Sequence, residues 1–193
     1  MTANPHLRMV TWLQLGVWLV AHTLLLAAPK AQAQAVATSE YTVKAAFLFN
    51  FAQFIQWPAH AFPTTNAPLI IGIIGTDPFG PVLDEIVRGE SVNGHPLVVQ
   101  RYRQLEGITN CHILFVGESD SRQIENIFTQ VKTRSILTVG DSEEFVRLGG
   151  MIGFFSEKNK IRLGINAETA RQAGLEISSR LLRLAKLMPA KPH

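Results

Sequence analysis

The chain has 193 residues, of which 47% are hydrophobic and 17% are charged, and its formal net charge is +3. Arg8 and Lys30 lie ahead of the first acidic residue, Glu40, so the segment from Gln34 onward has 16 basic against 15 acidic side chains. A nearly neutral segment without a run of Lys and Arg argues against a nucleic-acid partner. The single cysteine, Cys111, excludes an internal disulfide bond.

The first 33 residues have the pattern of a secretory signal peptide. Arg8 is followed by a mostly apolar run from Met9 to Ala28, and Ala31-Gln32-Ala33 has the small residues that signal peptidase requires. Two polar residues interrupt the run, which favours cleavage, whereas its length would also suit a retained membrane anchor. The pattern predicts a signal peptide at 1–33, cleavage near Gln34, and an exported periplasmic protein without direct membrane insertion after cleavage.

A flexible leader is predicted at 34–39, and a long helix is predicted to follow over Glu40–Gln56 until Trp57-Pro58 ends it. Apolar side chains on several faces predict that this helix is buried on more than one side. These side chains either pack in the core or line a groove for a small apolar ligand or a partner helix. The groove residues would be Lys44, Phe47, Phe51, Phe54 and Trp57, with Lys44 facing either a ligand carboxylate or water.

The rest of the chain alternates short apolar strands with helices. Continuous apolar runs are typical of strands whose two faces are both covered. The predicted strands are Leu69–Ile74, Pro96–Tyr102 after an Asn93-Gly94 turn, Cys111–Val116, Ser135–Val139, and a hairpin of Met151–Phe155 with Lys160–Ile165. The predicted helices are Pro81–Val87, Ser119 or Asp120 to Lys132, a short helix from Ser142 to the Gly149-Gly150 pair, and a last helix that Asn166 caps and that carries Ile177, Leu181, Leu184 and Met188 as an apolar stripe.

This order of elements predicts a single α/β domain over 40–189, followed by a tail at 190–193. Strands that alternate with helices and then end in a hairpin favour a mixed, mostly parallel sheet flanked by helices, with an antiparallel C-terminal hairpin. About 160 residues are enough to bury a sizeable core without disulfide bonds.

Residues with catalytic or ligand-binding chemistry form no recognisable set. No histidine lies four residues from another or within a Cys/His group, so no metal site is predicted. The spacing of Gly72, Gly75 and Gly80 matches neither a dinucleotide fingerprint nor a P-loop, so no cofactor is predicted. Cys111 is interpreted as a packed apolar residue, with a reactive or intermolecular thiol as the alternative. With no catalytic residue, the chain is interpreted as a binding or regulatory module and not as an enzyme.

Five segments follow one another along the chain in a specific order. They are Tyr41–Ala52 leading to Trp57-Pro58, Gly72–Gly80, Cys111–Val116, Ile136–Asp141 leading to Gly149–Ile152, and Ile165-Asn166 through Leu175 to Ser178–Leu182. Each segment alone is ordinary, but their succession resembles the YfiR family of small periplasmic proteins. The resemblance covers nearly the whole chain after the signal peptide.

The resemblance implies a periplasmic regulator that binds and represses the sensor domain of an inner-membrane diguanylate cyclase and so lowers cyclic di-GMP signalling. It also implies an α/β domain with a tendency to form a homodimer. This chain departs from the best-described members, which carry disulfide-forming cysteine pairs, because it has only Cys111. The alternative function is a periplasmic ligand-binding or envelope-sensing domain that feeds a histidine kinase or an outer-membrane transport system.

A partner surface is predicted where the glycine pair meets the hairpin and the start of the last helix. Paired glycines permit close approach, and a hairpin at a sheet edge can present side chains to another chain. Alternatively, the glycines only form a tight turn and the apolar members of the set lie in the core. The predicted partner-binding residues are Gly149, Gly150, Met151, Phe154, Arg162, Ile165 and Asn166.

Overall fold

The computed structural model describes residues 28–108, 110–117 and 121–189. The chain divides into two units at Tyr41, and of the first unit, Met1–Glu40, the structure describes only helical backbone from Ala28 onward. The α/β fold is that of the second unit, Tyr41–His193.

Three predicted features fall partly or wholly outside the described residues. Most of the predicted signal peptide, the tail 190–193 and the helix start at Ser119 or Asp120 belong to this group. Among the described residues, none of the helices has the length and apolar character that a membrane span needs.

Within the described residues, eight strands form one sheet and two more strands form a small separate pair. The strands are β1 (Ile55–Gln56), β2 (Leu69–Ile74), β3 (Ser91–Val92), β4 (His95–Tyr102), β5 (Ile113–Val116), β6 (Leu137–Gly140), β7 (Ile152–Glu157), β8 (Lys160–Ile165), β9 (Glu176–Ile177) and β10 (Lys186–Leu187). The helices are α1 (Ala28–Phe54), α2 (Pro81–Val87), α3 (Ser121–Val131), α4 (Glu143–Arg147), α5 (Ala167–Gln172) and α6 (Ser179–Leu182), with short 3-10 helices at Ala59–Ala61 and Leu105–Gly107.

The large sheet has the strand order β10-β8-β7-β6-β5-β2-β4-β3. Strands β4, β2, β5, β6 and β7 are parallel to one another, and β3 and β8 add antiparallel neighbours at the two sides. Strand β10 lies outside β8 and is parallel to it. The predicted α/β fold, with a mostly parallel sheet and an antiparallel hairpin near its C-terminal end, is therefore confirmed.

Strand β5 shows why the central strands are continuously apolar. Its residues Ile113 and Phe115 join a core cluster with helix α1, while Leu114 and Val116 join a second cluster with helices α3 and α4. Because successive side chains of a strand point to opposite faces, helices cover both faces of the sheet here. All four side chains are buried.

The predicted Asn93-Gly94 turn is confirmed by its backbone geometry, and the predicted C-terminal hairpin turns at Lys158-Asn159. Asn93 and Gly94 have φ values of 53° and 86° and join β3 to β4, and Lys158 and Asn159 have φ values of 51° and 58° and join β7 to β8. Tight hairpin turns with two left-handed residues match the twist of their strands. These turns set the register of both hairpins.

Helix α1 begins earlier than predicted. Helical backbone runs from Ala28 instead of from Glu40, so the segment 34–39 is helical, because its alanine and glutamine residues favour a helix. The helix ends at Phe54, because Ile55 and Gln56 pair with β9 as a short antiparallel strand. The role of residues 34–39 as a leader stays a prediction.

The predicted last helix is wrong. Asn166 does cap a helix, through its side-chain oxygen and the Thr169 N–H, but that helix ends at Gln172. Gly174 then adopts a φ of 75°, a left-handed conformation that ends helices. The segments after it are β9, the short helix α6 and β10. The predicted stripe therefore breaks up, with Leu181 buried and Leu184 exposed.

Gly153 lies where strand β7 passes under helix α4. A Cβ atom at this position would lie 2.3 Å from the Ser142 carbonyl oxygen and 2.7 Å from Val146. The Ser142 oxygen belongs to the backbone and cannot turn away as a side chain can. Glycine therefore permits the close contact of α4 with the sheet.

We expect Gly153→Ala to lower the free energy of unfolding by about 1–3 kcal/mol, because strand and helix must separate to admit the methyl group. Urea denaturation followed by circular dichroism measures this. Gly107→Ala is the matched control, since its Cβ would meet only the Tyr102 ring, at 3.3 Å. Equal losses in the two variants would contradict the proposed contact.

Candidate functional site

The carboxyl ends of strands β2, β5 and β6 surround a crevice, which we call the carboxyl-end crevice. Its cavity volume is about 340 Å³. In open α/β sheets, ligands bind outside the carboxyl ends of parallel strands where the strand order reverses, as it does between β2 and β5. The crevice is lined by Tyr41, Thr76, Pro78, Phe115, Val116, Gly117, Ile124, Asp141, Ser142 and Phe145.

One wall of the crevice is the loop that follows β2. Asp77 Oδ1 accepts the Phe79 and Gly80 N–H groups at 2.8 and 3.2 Å, which closes a tight turn. The turn places the buried Phe79 ring edge-on against Phe115, with ring centroids 4.7 Å apart. Phe79 also makes an edge contact with Tyr41, at 5.8 Å. The loop is thus held by packing as well as by hydrogen bonds.

Arg101 fastens the same loop from strand β4. Its guanidinium donates to Asp77 Oδ2 at 2.7 Å, to both oxygens of Asp84 at 3.1 and 2.6 Å, and to the Gly80 carbonyl at 2.8 Å. The hydrogen bond from Arg101 lowers the pKa of the Asp84 carboxyl, and both carboxylates raise the pKa of Arg101. A planar donor with several N–H groups can join four acceptors in this way, whereas lysine cannot.

The opposite wall approaches this loop so closely that only glycine fits. A Cβ atom on Gly117, directly after β5, would lie 2.1 Å from the Thr76 carbonyl oxygen. Backbone therefore lines this part of the crevice, as it does in sites where a ligand must come near to the main chain.

A buried ion pair stands beside the crevice. Lys44 Nζ, from helix α1, lies 2.5 Å from Asp141 Oδ1, at the end of β6, and Tyr41 donates its hydroxyl to Asp141 Oδ2 at 2.7 Å. The Lys44 side chain is 5% exposed and that of Asp141 is 26% exposed. The Lys44 ammonium also lies 4.5 Å from the centre of the Tyr41 ring. This network ties helix α1 to the carboxyl end of the sheet.

The network leaves Asp141 partly open toward the crevice. Each of its oxygens accepts one bond within the protein and retains a second lone pair, so the carboxylate can accept a further N–H or O–H group from a ligand. Lys44 balances its charge. The arrangement is suited to recognition, since it includes a fixed acceptor and aromatic walls but no activated nucleophile.

The structure places most of the predicted partner-binding residues in the interior. Gly150, Met151, Phe154, Ile165 and Asn166 are buried, Gly149 is half-buried, and Arg162 has an exposed side chain, 3.4 Å from Glu157. Buried side chains cannot touch a partner without a rearrangement of the fold. A partner surface at this corner stays a prediction, and in the folded protein it depends on Arg162 and the Gly149 backbone.

The predicted groove residues are mostly part of the core. Phe51 is fully buried, and both it and Phe47 lie 5.9 Å from Phe154 between ring centroids. Phe54 and Trp57 pack against the same core cluster, with the Trp57 Nε1 buried and without a hydrogen-bond partner in the described residues. Lys44 faces a carboxylate, but one from its own chain. These contacts match the core interpretation that the sequence left open.

None of the residues that line the carboxyl-end crevice was predicted as a site residue, and two of them, Tyr41 and Asp141, form its polar network. Tyr41 lies one helical turn from Lys44, and Asp141 directly follows a predicted strand and Gly140. Carboxylates that follow parallel strands are a signal for a site at that edge. The pairing of Lys44 with Asp141 was hidden because 97 positions separate them.

An imidazole pair lies near the start of β2, away from the crevice. The Ile70 N–H donates to His112 Nδ1 at 3.1 Å, so the neutral ring carries its hydrogen on Nε2, which donates to the Ala61 carbonyl at 3.2 Å. The Phe62 ring stacks on both His112 and His95, with centroids 4.4 and 3.8 Å away. Burial lowers the pKa of His112, the Ala61 bond opposes this, and His95 lowers it further.

Cys111 precedes His112 and is also enclosed. Its thiol lies 2.8 Å from the Ile113 carbonyl oxygen, and burial raises its pKa to about 12. A thiol with such a pKa is almost entirely protonated at neutral pH and is a poor nucleophile. Across the described residues, no group of three or more His, Cys, Asp and Glu side chains is placed to hold a metal ion.

The comparisons with known proteins identify the family of this α/β unit. The YfiR/HmsC-like family model matches residues 41–186, which is well over half of the chain. The chain belongs to the YfiR/HmsC-like family. The YfiR resemblance predicted from the five sequence segments is therefore confirmed. No curated protein matches the chain in sequence. The YfiR/HmsC-like match includes the carboxyl-end crevice and the Lys44–Asp141–Tyr41 network.

We expect Lys44→Met to lower the free energy of unfolding by about 2 kcal/mol, because it leaves Asp141 partly buried without its counter-charge. The double variant Lys44→Met/Asp141→Asn should recover part of this loss. Thermal and urea unfolding measure both effects, and Lys132→Met, on an exposed lysine, is the matched control. Additive losses in the double variant would show that the pair does not interact.

Stability should also depend on the protonation of His112. Its pKa in the folded protein is below the ordinary value of about 6.5, so the unfolded chain binds the proton more readily. The neutral ring therefore contributes fully to the free energy of unfolding above about pH 6.5, and this contribution is lost as the pH falls below that value. Urea unfolding at several pH values should show this loss, and His112→Gln should reduce it. His60→Gln, on an exposed histidine, controls for removal of an imidazole; an unchanged pH dependence in His112→Gln would refute the prediction.

Proposed function

We propose that the protein is a periplasmic repressor that binds the sensor domain of an inner-membrane diguanylate cyclase and lowers cyclic di-GMP signalling. The observation that carries this proposal is the YfiR/HmsC-like match over 41–186, which covers nearly the whole described α/β unit. The signal-peptide pattern of residues 1–33 supports the periplasmic location. Formation of a homodimer, which the resemblance implies, belongs to the same proposal.

The chemistry of the described residues supports a regulator over an enzyme. The Asp141 carboxylate and the Lys44 ammonium bind each other, and the Cys111 thiol is buried and protonated. A catalytic base or nucleophile needs a lone pair that can reach the substrate, and a catalytic acid needs a proton that can reach it. The charged groups beside the crevice instead stabilise the fold by binding each other.

Repression by binding requires a difference in affinity. A regulator shifts a cyclase between an inactive and an active state only by the ratio of its affinities for the two states. The repressor therefore binds the inactive sensor more tightly, and its release activates the cyclase. We place the contact at the hairpin corner, with Arg162 as its exposed charge.

The carboxyl-end crevice favours a second candidate function, the sensing of a small ligand. A cavity of about 340 Å³ at the reversal of strand order, with one open carboxylate, has the position and size of a small-molecule site. Such a ligand would regulate either the cyclase or, in the alternative, a histidine kinase or an outer-membrane transport system. Asp141→Asn, combined with Lys44→Met so that neither charge is left without its partner, should abolish the response to the ligand but not the binding of the protein partner.

Deletion of the gene should raise cellular cyclic di-GMP, because the cyclase loses its repressor. The rise should disappear when the gene of the regulated cyclase is also deleted. Mass spectrometry of nucleotide extracts measures both levels. An unchanged level in the single deletion, or a rise that persists in the double deletion, would contradict repression of that cyclase.

The partner contact is tested by returning variants to the deletion strain. Arg162→Glu should weaken co-purification with the cyclase by about tenfold or more, because it reverses the exposed charge proposed for the contact. Arg171→Glu is the matched control, on an exposed arginine outside the hairpin. Equal co-purification of both folded variants with the cyclase would remove the hairpin corner from the interface.

A further inference from the structure

At one side of the large sheet, the outermost strand carries basic residues and two exposed leucines lie beside them. Strand β10 is the last strand of the sheet and pairs only with Gly164 and Ile165 of β8. We define the basic leucine edge as the exposed residues of β10, of the turn before it and of the start of β8 that lie outside the partner contact proposed at Arg162: Lys160, Arg183, Leu184, Lys186 and Leu187.

The two leucines are unusually exposed for their size. Leu184 is 67% exposed and Leu187 is 63% exposed, which makes them the most exposed large apolar side chains of the described residues. The neighbouring apolar residues Leu181 and Met188 are buried. Leu184 projects from the turn before β10, and Leu187 projects from β10 on the face opposite to Lys186, so the two leucines flank the edge of an otherwise anchored segment.

The edge concentrates positive charge that the linear sequence disperses. The segment Arg183–Lys186 lines a shallow groove beside Arg162 and Glu157 of the hairpin, although about twenty residues separate the two segments in sequence. Lys158 in the hairpin turn and Arg180 in α6 add exposed positive charges. Two ion pairs remove part of the charge, Arg162 with Glu157 and Lys186 with Glu143. Within the described residues, no carboxylate forms an ion pair with Lys158, Lys160, Arg180 or Arg183.

We propose that the basic leucine edge docks on a lipid surface that carries anionic headgroups. Exposed leucines flanked by Lys and Arg are the pattern of proteins that lie in the membrane interface, where apolar side chains enter the headgroup region and cations bind lipid phosphates. The docking is peripheral and needs no membrane-spanning segment. It holds the protein beside the membrane in which the regulated sensor of the proposed function resides.

A second copy of the chain fits this edge less well. Two identical edges would bring Arg183 and Lys160 of one copy against the same charges of the other, and like charges oppose such a contact. Strand addition is also limited, because β10 has only two residues. A charged lipid surface complements the edge without either difficulty.

Vesicle co-sedimentation tests the proposal. The protein is purified from the cells that produce it, and mass spectrometry identifies its N-terminus. The parent protein should bind vesicles of phosphatidylcholine with phosphatidylglycerol, and should bind phosphatidylcholine alone much more weakly. Leu184→Ser/Leu187→Ser should reduce binding by about tenfold or more, because the apolar contact is lost. Lys160→Gln and Arg183→Gln should each reduce binding by about fivefold.

Matched controls lie on other parts of the sheet and helices. Val98→Ser changes an exposed apolar residue of β4, far from β10 in the strand order, and Lys132→Gln changes an exposed lysine beyond α3. Both should bind vesicles as the parent does. Because the leucines are exposed, their serine variants should unfold at the parent temperature, which circular dichroism checks.

Several outcomes would overturn the proposal. Lipid docking at this edge is rejected if the parent protein binds neutral and anionic vesicles equally. It is also rejected if the leucine variant binds anionic vesicles as well as the parent does. Sedimentation equilibrium that shows a leucine-dependent dimer without lipid binding assigns the edge to a second copy. A parent protein that represses the cyclase but does not bind anionic vesicles rejects lipid docking and leaves the proposed function standing, because the two proposals have different readouts.

Discussion

The structure depends on burying both faces of the central parallel strands. Helix α1 covers one face through Leu48 and Phe51, and helices α3 and α4 cover the other through residues such as Ile127 and Phe145. Neither face can be exposed without uncovering a continuous apolar strand, so the helices are obligatory. Because the core is large enough to stabilise the fold, the domain needs no disulfide bond of the kind that smaller secreted domains use. Its single cysteine, Cys111, is buried.

Burial of the faces leaves the ends of the strands to carry polar chemistry. At the carboxyl ends, Asp141 and the loop held by Arg101 surround the crevice, while Lys44 reaches Asp141 from helix α1. The same ion pair that secures the helix to the sheet thus aims a carboxylate at the crevice. A ligand that bonds Asp141, as proposed for the crevice, would act on the contact that holds α1.

The sides of the sheet have a different character from its ends. Strand β3 closes one side as part of a hairpin, and β10 closes the other with only two residues. Exposed sheet edges are usually protected by charge, and here lysines and arginines serve that purpose. Leu184 and Leu187 are exposed beside these charges and do not protect the edge. Protection of the edge therefore does not explain why they are exposed. In this YfiR/HmsC-like protein, the two proposals therefore use different parts of the sheet, with the ligand at its carboxyl end and the lipid surface at one side.

Local sequence determined the features that depend on neighbouring residues. Leu69–Ile74 and Pro81–Val87 have the predicted bounds, and the Asn93-Gly94 turn is present, because apolar runs, proline and left-handed residues act within a few positions. The order of elements was sufficient to predict a mostly parallel α/β sheet. The family resemblance rested on the same local segments in succession.

Only the tertiary structure decided the features that depend on distant residues. The predicted last helix failed because Ile177 pairs with Ile55, a contact that periodicity alone does not reveal. Likewise, the Lys44–Asp141 pair and the basic leucine edge exist only because the sheet brings separate segments together. Phe154 and Ile165, which suit a surface hairpin by pattern, are buried because helix α1 covers that face. Periodicity identifies an apolar face, but the partner that covers it is chosen by the whole chain.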